Sequence, residues 1–235
     1  MSLGAGRSGR LDFLRDRHRG QRCVIVANGP SLNRMNLECL RNETVIGLNK
    51  IFLGLHGFGF YPRYYVAINR KVIAQAAEQI KALNCVKFIG SHADAGNFAE
   101  DALTYLVNTA RPPARFSKDL ASGLHEGWTV TYAALQVAYH LGFQQVVLVG
   151  LDHRYQYTGR PNEAHVLDGP DPNHFASDYF GHGQAWDNPD LARSEESYRI
   201  ALHEYTRDGR AIFDATVDGA CDVFPKVDFA RLIKQ

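Results

Sequence analysis

Four short apolar runs in this chain each end on a polar side chain. The polar residues that close them are Asn28, Asn49, Asn69 and Asp152. Runs this apolar are typical of parallel strands whose two faces are both covered by helices. Parallel strands deliver the residues after their carboxyl ends to one edge of the sheet, where open α/β sheets bind ligands. The sequence therefore predicts a Rossmann-like α/β fold, a doubly wound and mostly parallel sheet with helices on both faces.

Helical periodicity separates the predicted strands. Helices are predicted over residues 72–83 and 129–141, and a third is predicted to begin at Asn188-Pro189-Asp190 and to end near residue 208. Further strands are predicted over residues 86–90 and 211–214. Residues 91–126 alternate between helical and loop character around Pro112-Pro113, and no element is assigned to them. The alternation of strands and helices favours one sheet.

The turn after the first strand is Asn28-Gly29-Pro30-Ser31. Gly29 would permit a tight turn with positive φ, Pro30 suits a first helical turn, and Ser31 could cap a helix that continues toward Leu40. Such a turn points free amides at a ligand, so a phosphate is the expected guest. A well-capped turn with no ligand is the alternative. The sequence lacks G-x-G-x-x-G and G-x-x-x-x-G-K-[ST], which disfavours the usual dinucleotide and P-loop sites.

Composition favours one globular domain over residues 21–235, preceded by a basic arm over residues 1–20. The chain has 235 residues, of which 45% are hydrophobic, and a net charge of +1 that disfavours bulk binding to nucleic acid. No segment is apolar enough for a signal peptide or a membrane span, and the four cysteines form no C-x-x-C, so a cytoplasmic protein is expected. The arm is expected to be solvated or a short helix, with an anionic membrane surface as the alternative partner.

The segment after Asp152 is the least regular part of the chain. Residues 153–189 are rich in His, Tyr, Asp, Asn, Gly and Pro and show no sustained periodicity. Loops of this length in a compact domain are usually functional or disordered, and the many aromatic residues argue against disorder. We therefore expect a long lid after the strand end at Gly150 and Asp152.

The order of these motifs resembles that of the bacterial lipooligosaccharide sialyltransferases. The resemblance rests on the turn at Asn28, the asparagines after the next two strands, the Gly150-Leu151-Asp152 strand end and Tyr179-Phe180-Gly181-His182. The chain also resembles the wider group that includes the archaeal 6-hydroxymethylpterin diphosphokinases, an MptE-like group. The likeness extends from about residue 23 to residue 229.

The resemblance implies a set of residues for nucleotide binding and one catalytic base. In the sialyltransferases the matching histidine deprotonates the acceptor hydroxyl, which implies His182 here. A neutral imidazole at cellular pH suits that role. Asparagine also closes strand-to-helix turns through its own side chain, which is the alternative for each asparagine taken alone. The implied nucleotide-binding residues are Asn28, Gly29, Pro30, Ser31, Asn49, Asn69, Gly150 and Asp152.

The sequence departs from the sialyltransferases where the leaving phosphate would lie. Arg154 stands where the first of two tyrosines is expected, Tyr155 is displaced by one residue, and Arg160 lies near the position of the second. Arginine can also neutralise a departing phosphate. The implied leaving-group residues are therefore Arg154, Tyr155, Tyr157 and Arg160. The family's Ser-Gly element is not in register either, since Glu126-Gly127-Trp128-Thr129 comes several residues too early.

The function expected from these residues is a metal-independent, sialyltransferase-like glycosyltransferase in bacterial surface polysaccharide or lipooligosaccharide synthesis. Its donor would be a nucleotide sugar, with CMP as the first candidate nucleotide, and its acceptor a glycan or lipid-linked glycan. No cofactor is expected to be required, and the sequence is compatible with a homo-oligomer and with peripheral contact at the inner face of the membrane. One alternative is Mg²⁺-dependent diphosphate transfer from ATP, with Asp152, Asp168 and Asp171 as the available acids. A non-catalytic nucleotide-binding module is the other.

Overall fold

The computed structural model describes residues 7–110, 115–167, 169–181 and 183–233. Its centre is a seven-stranded sheet in which every pairing is parallel, in the order β11-β8-β1-β2-β3-β4-β5. The predicted doubly wound α/β fold is thereby confirmed. The strands are β1 (Arg22–Val26), β2 (Val45–Leu48), β3 (Tyr64–Ala67), β4 (Val86–Gly90), β5 (Thr104–Val107), β8 (Gln145–Val149) and β11 (Ala211–Asp214).

Alternate residues of each central strand face two different apolar layers. On β1, Ile25 packs into the layer that contains the helix Val130–His140. Val24 and Val26 pack into the opposite layer, which contains the aromatic residues of the lid. All three side chains are fully buried. Burial on both faces explains why these strands read as continuous apolar runs in the sequence.

Helices cover both faces of the sheet, as predicted. The long helices are α3, α5 and α6, and their starts at Asn69, Thr129 and Asp190 are capped by those side chains. Almost every side chain of α5 is buried, because this helix lies across the middle of the sheet. The helices are α1 (Arg7–Asp12), α2 (Leu55–Phe58), α3 (Arg70–Lys81), α4 (Ser91–Asp94), α5 (Val130–His140), α6 (Leu191–Arg207) and α7 (Phe229–Ile233).

The segment without a predicted element supplies an edge of the sheet. Beyond β5 it also contains β6 (Thr109–Ala110) and β7 (Leu124–His125), which pair with each other in a small parallel ladder. Strands of two to four residues are too short to show a period of two, so their sequence carried no signal.

The predicted α-helix after β1 does not form. The chain instead makes two short 3₁₀ helices, Pro30–Arg34 and Leu37–Asn42, and Asn36 caps the second. Gly29 has φ −70° and ψ 157°, which any residue can adopt, and Ser31 lies inside the first turn instead of capping it. Leu32, Leu37 and Leu40 are still buried, because two 3₁₀ helices also carry them onto the sheet.

The lid packs onto the carboxyl edge of the sheet. It contains an antiparallel pair, β9 (Ala164–Val166) and β10 (Ala185–Asp187), and its aromatic residues Phe175, Tyr179, Phe180 and Trp186 are buried in the same layer as Val24 and Val26. These aromatics hold most of the segment in place through apolar burial.

The described part of the basic arm lies against the domain. Leu11 and Leu14 are buried, and the ring of His18 stacks on Phe143 with a centroid distance of 4.4 Å. Arg15 pairs with Asp119 at 2.5 Å. None of the helices in the described ranges combines the length and apolarity needed to cross a membrane.

Candidate functional site

The strand order reverses between β1 and β8, and this reversal defines the candidate site. From β1 the chain proceeds outward through β2 to β5, and it then returns to place β8 on the other side of β1. In open α/β sheets, ligands bind in the crevice at the carboxyl ends of the strands that flank such a reversal. The turn at Asn28 follows β1, and Gly150 and Asp152 follow β8, so both predicted segments flank the crevice.

Asp152 links these two segments directly. Its carboxylate accepts hydrogen bonds from the Ser31 amide at 3.0 Å and the Ser31 hydroxyl at 2.6 Å. Burial raises the pKa of Asp152, while the two bonds from Ser31 act in the opposite direction. The Asp152 carboxylate therefore accepts from the Ser31 amide, where the sequence predicted a phosphate.

The two glycines beside Asp152 are required for different reasons. A Cβ on Gly29 would overlap the Asp152 carboxylate and lie 2.8 Å from the Gly150 carbonyl oxygen. Gly150 has φ +72°, in the left-handed region that favours glycine. Close approach at Gly29 and a positive φ at Gly150 together allow the ends of β1 and β8 to meet.

Asn28 and Asn49 lie side by side after β1 and β2. The register pairs Val26 with Gly47, and two further residues along each strand lead to Asn28 and Asn49. Their Oδ1 atoms are buried and have no hydrogen-bond partner within the described structure. Buried acceptors are nearly always satisfied, and among the described residues these two acceptors lie unsatisfied at neighbouring strand ends.

Asn69 differs from the other two asparagines. It is exposed, and its Oδ1 accepts hydrogen bonds from the amides of Lys71 and Val72 at the start of α3. Its side chain thus performs the capping role that was the alternative for each asparagine.

The four residues predicted around the leaving phosphate do not form one cluster. Arg154 and Arg160 have exposed side chains, whereas the Tyr157 hydroxyl donates to the carbonyl of Pro189 at 3.4 Å. Tyr155 keeps 37% of its surface exposed, and desolvation of its phenol and then the Asp152 and Asp171 carboxylates raise its pKa to about 12. The charges that act on Tyr155 are thus carboxylates, and both arginines are exposed.

Lys50, which the sequence did not single out, connects β2 to the lid. Its Nζ donates to the Tyr179 carbonyl at 2.7 Å, to Gln184 Oε1 at 2.7 Å and to Gln75 Oε1 at 3.1 Å. No carboxylate in the described ranges forms an ion pair with it, and burial lowers its pKa to about 8, with Asp171 and Asp178 acting in the opposite direction. A buried lysine bonded only to neutral oxygens is costly, which points to a specific role in fixing the lid.

A buried acid and a histidine lie next to Tyr179 in the lid. Asp171 Oδ2 is 2.8 Å from His174 Nδ1, and Asp171 Oδ1 accepts from the Asn173 amide. The His174 ring stacks on Tyr179 with a centroid distance of 3.9 Å and an interplanar angle of 4°. The only signal in the sequence was the spacing Asp171-x-x-His174, which is too short a pattern to distinguish from a turn.

Two predicted residues, His182 and Asp168, lie outside the described residues. Within the described ranges, no group of three or more His, Cys, Asp or Glu side chains is arranged to hold a metal ion. Cys23, Cys39, Cys85 and Cys221 are free thiols, and all but Cys39 are buried.

Comparison with known families gives a match over most of the chain. Residues 6–158 match the family model described as 6-hydroxymethylpterin diphosphokinase MptE-like. The chain belongs to this MptE-like family. No curated protein gives a significant match.

Two solved glycosyltransferase structures resemble the chain. The Maf glycosyltransferase from Magnetospirillum magneticum AMB-1 has a TM-score of 0.54 and 15% identity, and the match covers 94% of this chain but 38% of that protein. The sialyltransferase CstII from Campylobacter jejuni, in complex with a substrate analogue, cytidine-5′-monophosphate, has a TM-score of 0.49 and 11% identity, with 89% of this chain and 85% of that chain covered. This MptE-like chain therefore shares its fold with part of the Maf glycosyltransferase.

Proposed function

We propose that this MptE-like protein is a glycosyltransferase that uses a nucleotide sugar, with CMP as the activating nucleotide. The observation that carries the proposal is the pair of buried, unpartnered acceptors, Asn28 Oδ1 and Asn49 Oδ1, at the strand reversal. The fold shared with the Maf glycosyltransferase and the sialyltransferase-like order of motifs support it. We place the reaction in the cytoplasm, in synthesis of bacterial surface polysaccharide or lipooligosaccharide.

The proposal includes an orientation for the nucleotide. Amide oxygens accept hydrogen bonds, so Asn28 and Asn49 suit the amino group of a base or the hydroxyls of a ribose. Because Asp152 already occupies the Ser31 amide and adds negative charge, a phosphate is disfavoured there. The nucleoside would therefore lie over Asn28 and Asn49, with the phosphate directed outward to Arg154 and Arg160.

The reaction needs a group that takes the proton of the acceptor hydroxyl. The resemblance assigns this proton to His182. A His182→Ala variant that keeps its affinity for CMP but loses transfer by about 10²–10⁴ would support that assignment.

The family description favours a second candidate, diphosphate transfer from ATP. That reaction needs Mg²⁺ held by carboxylates, and Asp152 and Asp171 are the described acids near the crevice. Both carboxylates already accept protein hydrogen bonds, so Mg²⁺ would have to share their oxygens with Ser31 or the Asn173 amide.

Thermal stabilisation distinguishes the two reactions. The protein is melted with CMP, CDP, UDP, GDP or ATP, each in Mg²⁺ and in EDTA. A ligand at one hundred times its Kd stabilises the folded state by about 2.7 kcal/mol, and we expect this response to CMP in both buffers. Asn28→Ala should remove the response, whereas Asn69→Ala should keep it. Binding of ATP that requires Mg²⁺, with no response to any nucleoside monophosphate, would contradict the proposal.

A further inference from the structure

Lys50 is bonded to the lid on both sides of position 182. Its Nζ donates to the Tyr179 carbonyl and to Gln184 Oε1, in each case at 2.7 Å. Tyr179 comes three residues before His182, and Gln184 comes two residues after it. His182 itself lies outside the described residues, but the described chain on each side of it is bonded to one atom. Residues 179–185 form the histidine loop.

Two further contacts hold the histidine loop in place. The Gln184 amide donates to the Gly181 carbonyl at 2.9 Å, which ties the middle of the loop together. On α3, Gln75 accepts from Lys50 Nζ through Oε1 at 3.1 Å, and its Nε2 donates to the Ala185 carbonyl at 2.8 Å. The histidine loop is therefore bonded both to the end of β2 and to α3.

The ammonium of Lys50 is fully used by these bonds. It carries three N–H donors, and the three acceptors are all oxygen atoms of the protein. Hydrogen bonds from a charged donor are roughly twice as strong as neutral ones. The Phe180 ring also lies 4.7 Å from Nζ, which offsets part of the cost of burying the charge. Lys50 thus holds the loop instead of donating to a substrate.

The same strand end adjoins the proposed nucleotide site. Lys50 directly follows Asn49, whose buried Oδ1 has no hydrogen-bond partner within the described structure. The Lys50 amide also donates to the Tyr179 hydroxyl, at 3.3 Å. Two adjacent residues after β2 therefore serve the nucleotide site and the histidine loop.

We propose that Lys50 is a positioning residue of the transfer, which fixes the histidine loop so that His182 can take the proton of the acceptor hydroxyl. The inference rests on the proposed glycosyltransferase function and leaves the base where that function places it. A misplacement of about 1 Å can lower an enzymatic rate about 10²-fold, so a base carried by a loop needs that loop to be held.

The step itself moves no proton to or from Lys50. The acceptor oxygen bonds to the anomeric carbon of the donor as the proton of its hydroxyl passes to His182. The bond from that carbon to the phosphate oxygen breaks, and its electron pair leaves with the nucleotide. Lys50 acts on this step through Tyr179 and Gln184, the residues to which it is bonded.

Lys87 offers a matched comparison, because it is another buried lysine bonded to neutral oxygens. It is 3% exposed, and its Nζ donates to the Leu83 and Cys85 carbonyls at 2.9 and 3.1 Å. These partners lie four and two residues before it, near the start of β4 and away from the crevice. The two lid partners of Lys50 lie 129 and 134 residues after it.

The test compares variants in transfer from CMP-N-acetylneuraminate to a galactoside. Lys50→Met and Lys87→Met make the same chemical change at two buried positions. Gln184→Leu removes one acceptor and keeps Lys50, so it serves if Lys50→Met does not fold. Lys50→Met and Gln184→Leu are each also combined with His182→Ala. For every variant kcat, KM, affinity for CMP and amide hydrogen exchange in the histidine loop are measured.

We expect Lys50→Met to lower kcat about 10²-fold and Gln184→Leu about tenfold, with affinity for CMP changed less than about threefold and faster exchange in the histidine loop. Lys87→Met should keep kcat within about twofold and leave that exchange unchanged. In the His182→Ala background, Lys50→Met should change the remaining rate less than about threefold, because residues that act as a unit are not additive. A residue that only stabilised the fold would lower the rate in both backgrounds.

Wild-type transfer by Lys50→Met would overturn the inference. So would losses that multiply when Lys50→Met and His182→Ala are combined, or an equal loss in Lys87→Met. If Lys50→Met does not fold, Gln184→Leu and its combination with His182→Ala are judged in the same way. Failure of the proposed function gives a different result, because the wild-type protein would then neither bind CMP nor transfer the sugar. That result would remove this inference as well.

Discussion

Replacing Gly29 with alanine tests how closely β1 and β8 approach each other. The added Cβ would overlap the Asp152 carboxylate and lie 2.8 Å from the Gly150 carbonyl oxygen. The side chain of Asp152 is the part that can move, and moving it breaks both of its bonds to Ser31. Because Gly29 has φ −70°, alanine causes no backbone strain, and the whole effect comes from the contact.

The magnitude follows from those two bonds. A hydrogen bond to a charged group contributes about 1.5–3 kcal/mol, and Ser31 is buried, so its freed donors would lack partners. Some of this loss is offset as Asp152 regains solvent. We expect Gly29→Ala to lower the free energy of unfolding by about 3 kcal/mol. Gly57→Ala is the control, since a Cβ there meets nothing within 4 Å and, in helix α2, alanine should stabilise by up to about 1 kcal/mol.

A double-mutant cycle in urea separates the carboxylate from the carbonyl. In an Asp152→Ala background the bonds to Ser31 are already absent, so Gly29→Ala should cost only about 1 kcal/mol for the carbonyl contact. The expected coupling is therefore about 2 kcal/mol. Additivity within about 0.5 kcal/mol would refute the claim that Gly29 is required because of Asp152.

Two further predictions concern single side chains. Burial lowers the pKa of Lys50 from its ordinary value of 10.5 to about 8 in the folded protein. Between these two pH values the unfolded chain keeps a proton on Lys50 that the folded protein has lost. The stability of wild type relative to Lys50→Met should therefore rise by about 2 kcal/mol between pH 7 and 9.5, and a flat difference in urea titrations would contradict this. Asn69→Ala should cost about 1 kcal/mol through loss of the α3 cap while CMP affinity is kept, and a loss of affinity in calorimetry would contradict the capping role.

The fold could be predicted because its pattern is local. The runs that form β1, β2, β3 and β8 are buried on both faces and are followed within three residues by Asn or Asp, and the caps at Asn69, Thr129 and Asp190 lie directly before their helices. The prediction of an α-helix after β1 was wrong because a long-range contact decides the structure there. In the turn after β1, the Ser31 amide donates to Asp152, which lies 121 positions later in the chain. A short 3₁₀ helix is enough to place Ser31 for this bond.

The site could be predicted only where it lies on strand ends. Asn28, Asn49 and Asp152 come directly after β1, β2 and β8, so the strand pattern alone brings them to one crevice. Lys50 also follows β2, but its role depends on hydrogen bonds to two oxygen atoms of the lid, 129 and 134 residues later. No periodicity marks those partners.

The irregular lid is ordered by long-range contacts, which local sequence patterns do not show. Its backbone is bonded to the sheet at Asn28 through the Phe175 amide and to Lys50 through the Tyr179 carbonyl, while its aromatic rings fill the layer beneath. Because residues at the ends of β1 and β2 hold these atoms, the lid is anchored beside the two buried acceptors, Asn28 Oδ1 and Asn49 Oδ1. The order of the lid and the shape of the crevice therefore depend on the same two strand ends, and a substitution at either end should disturb both.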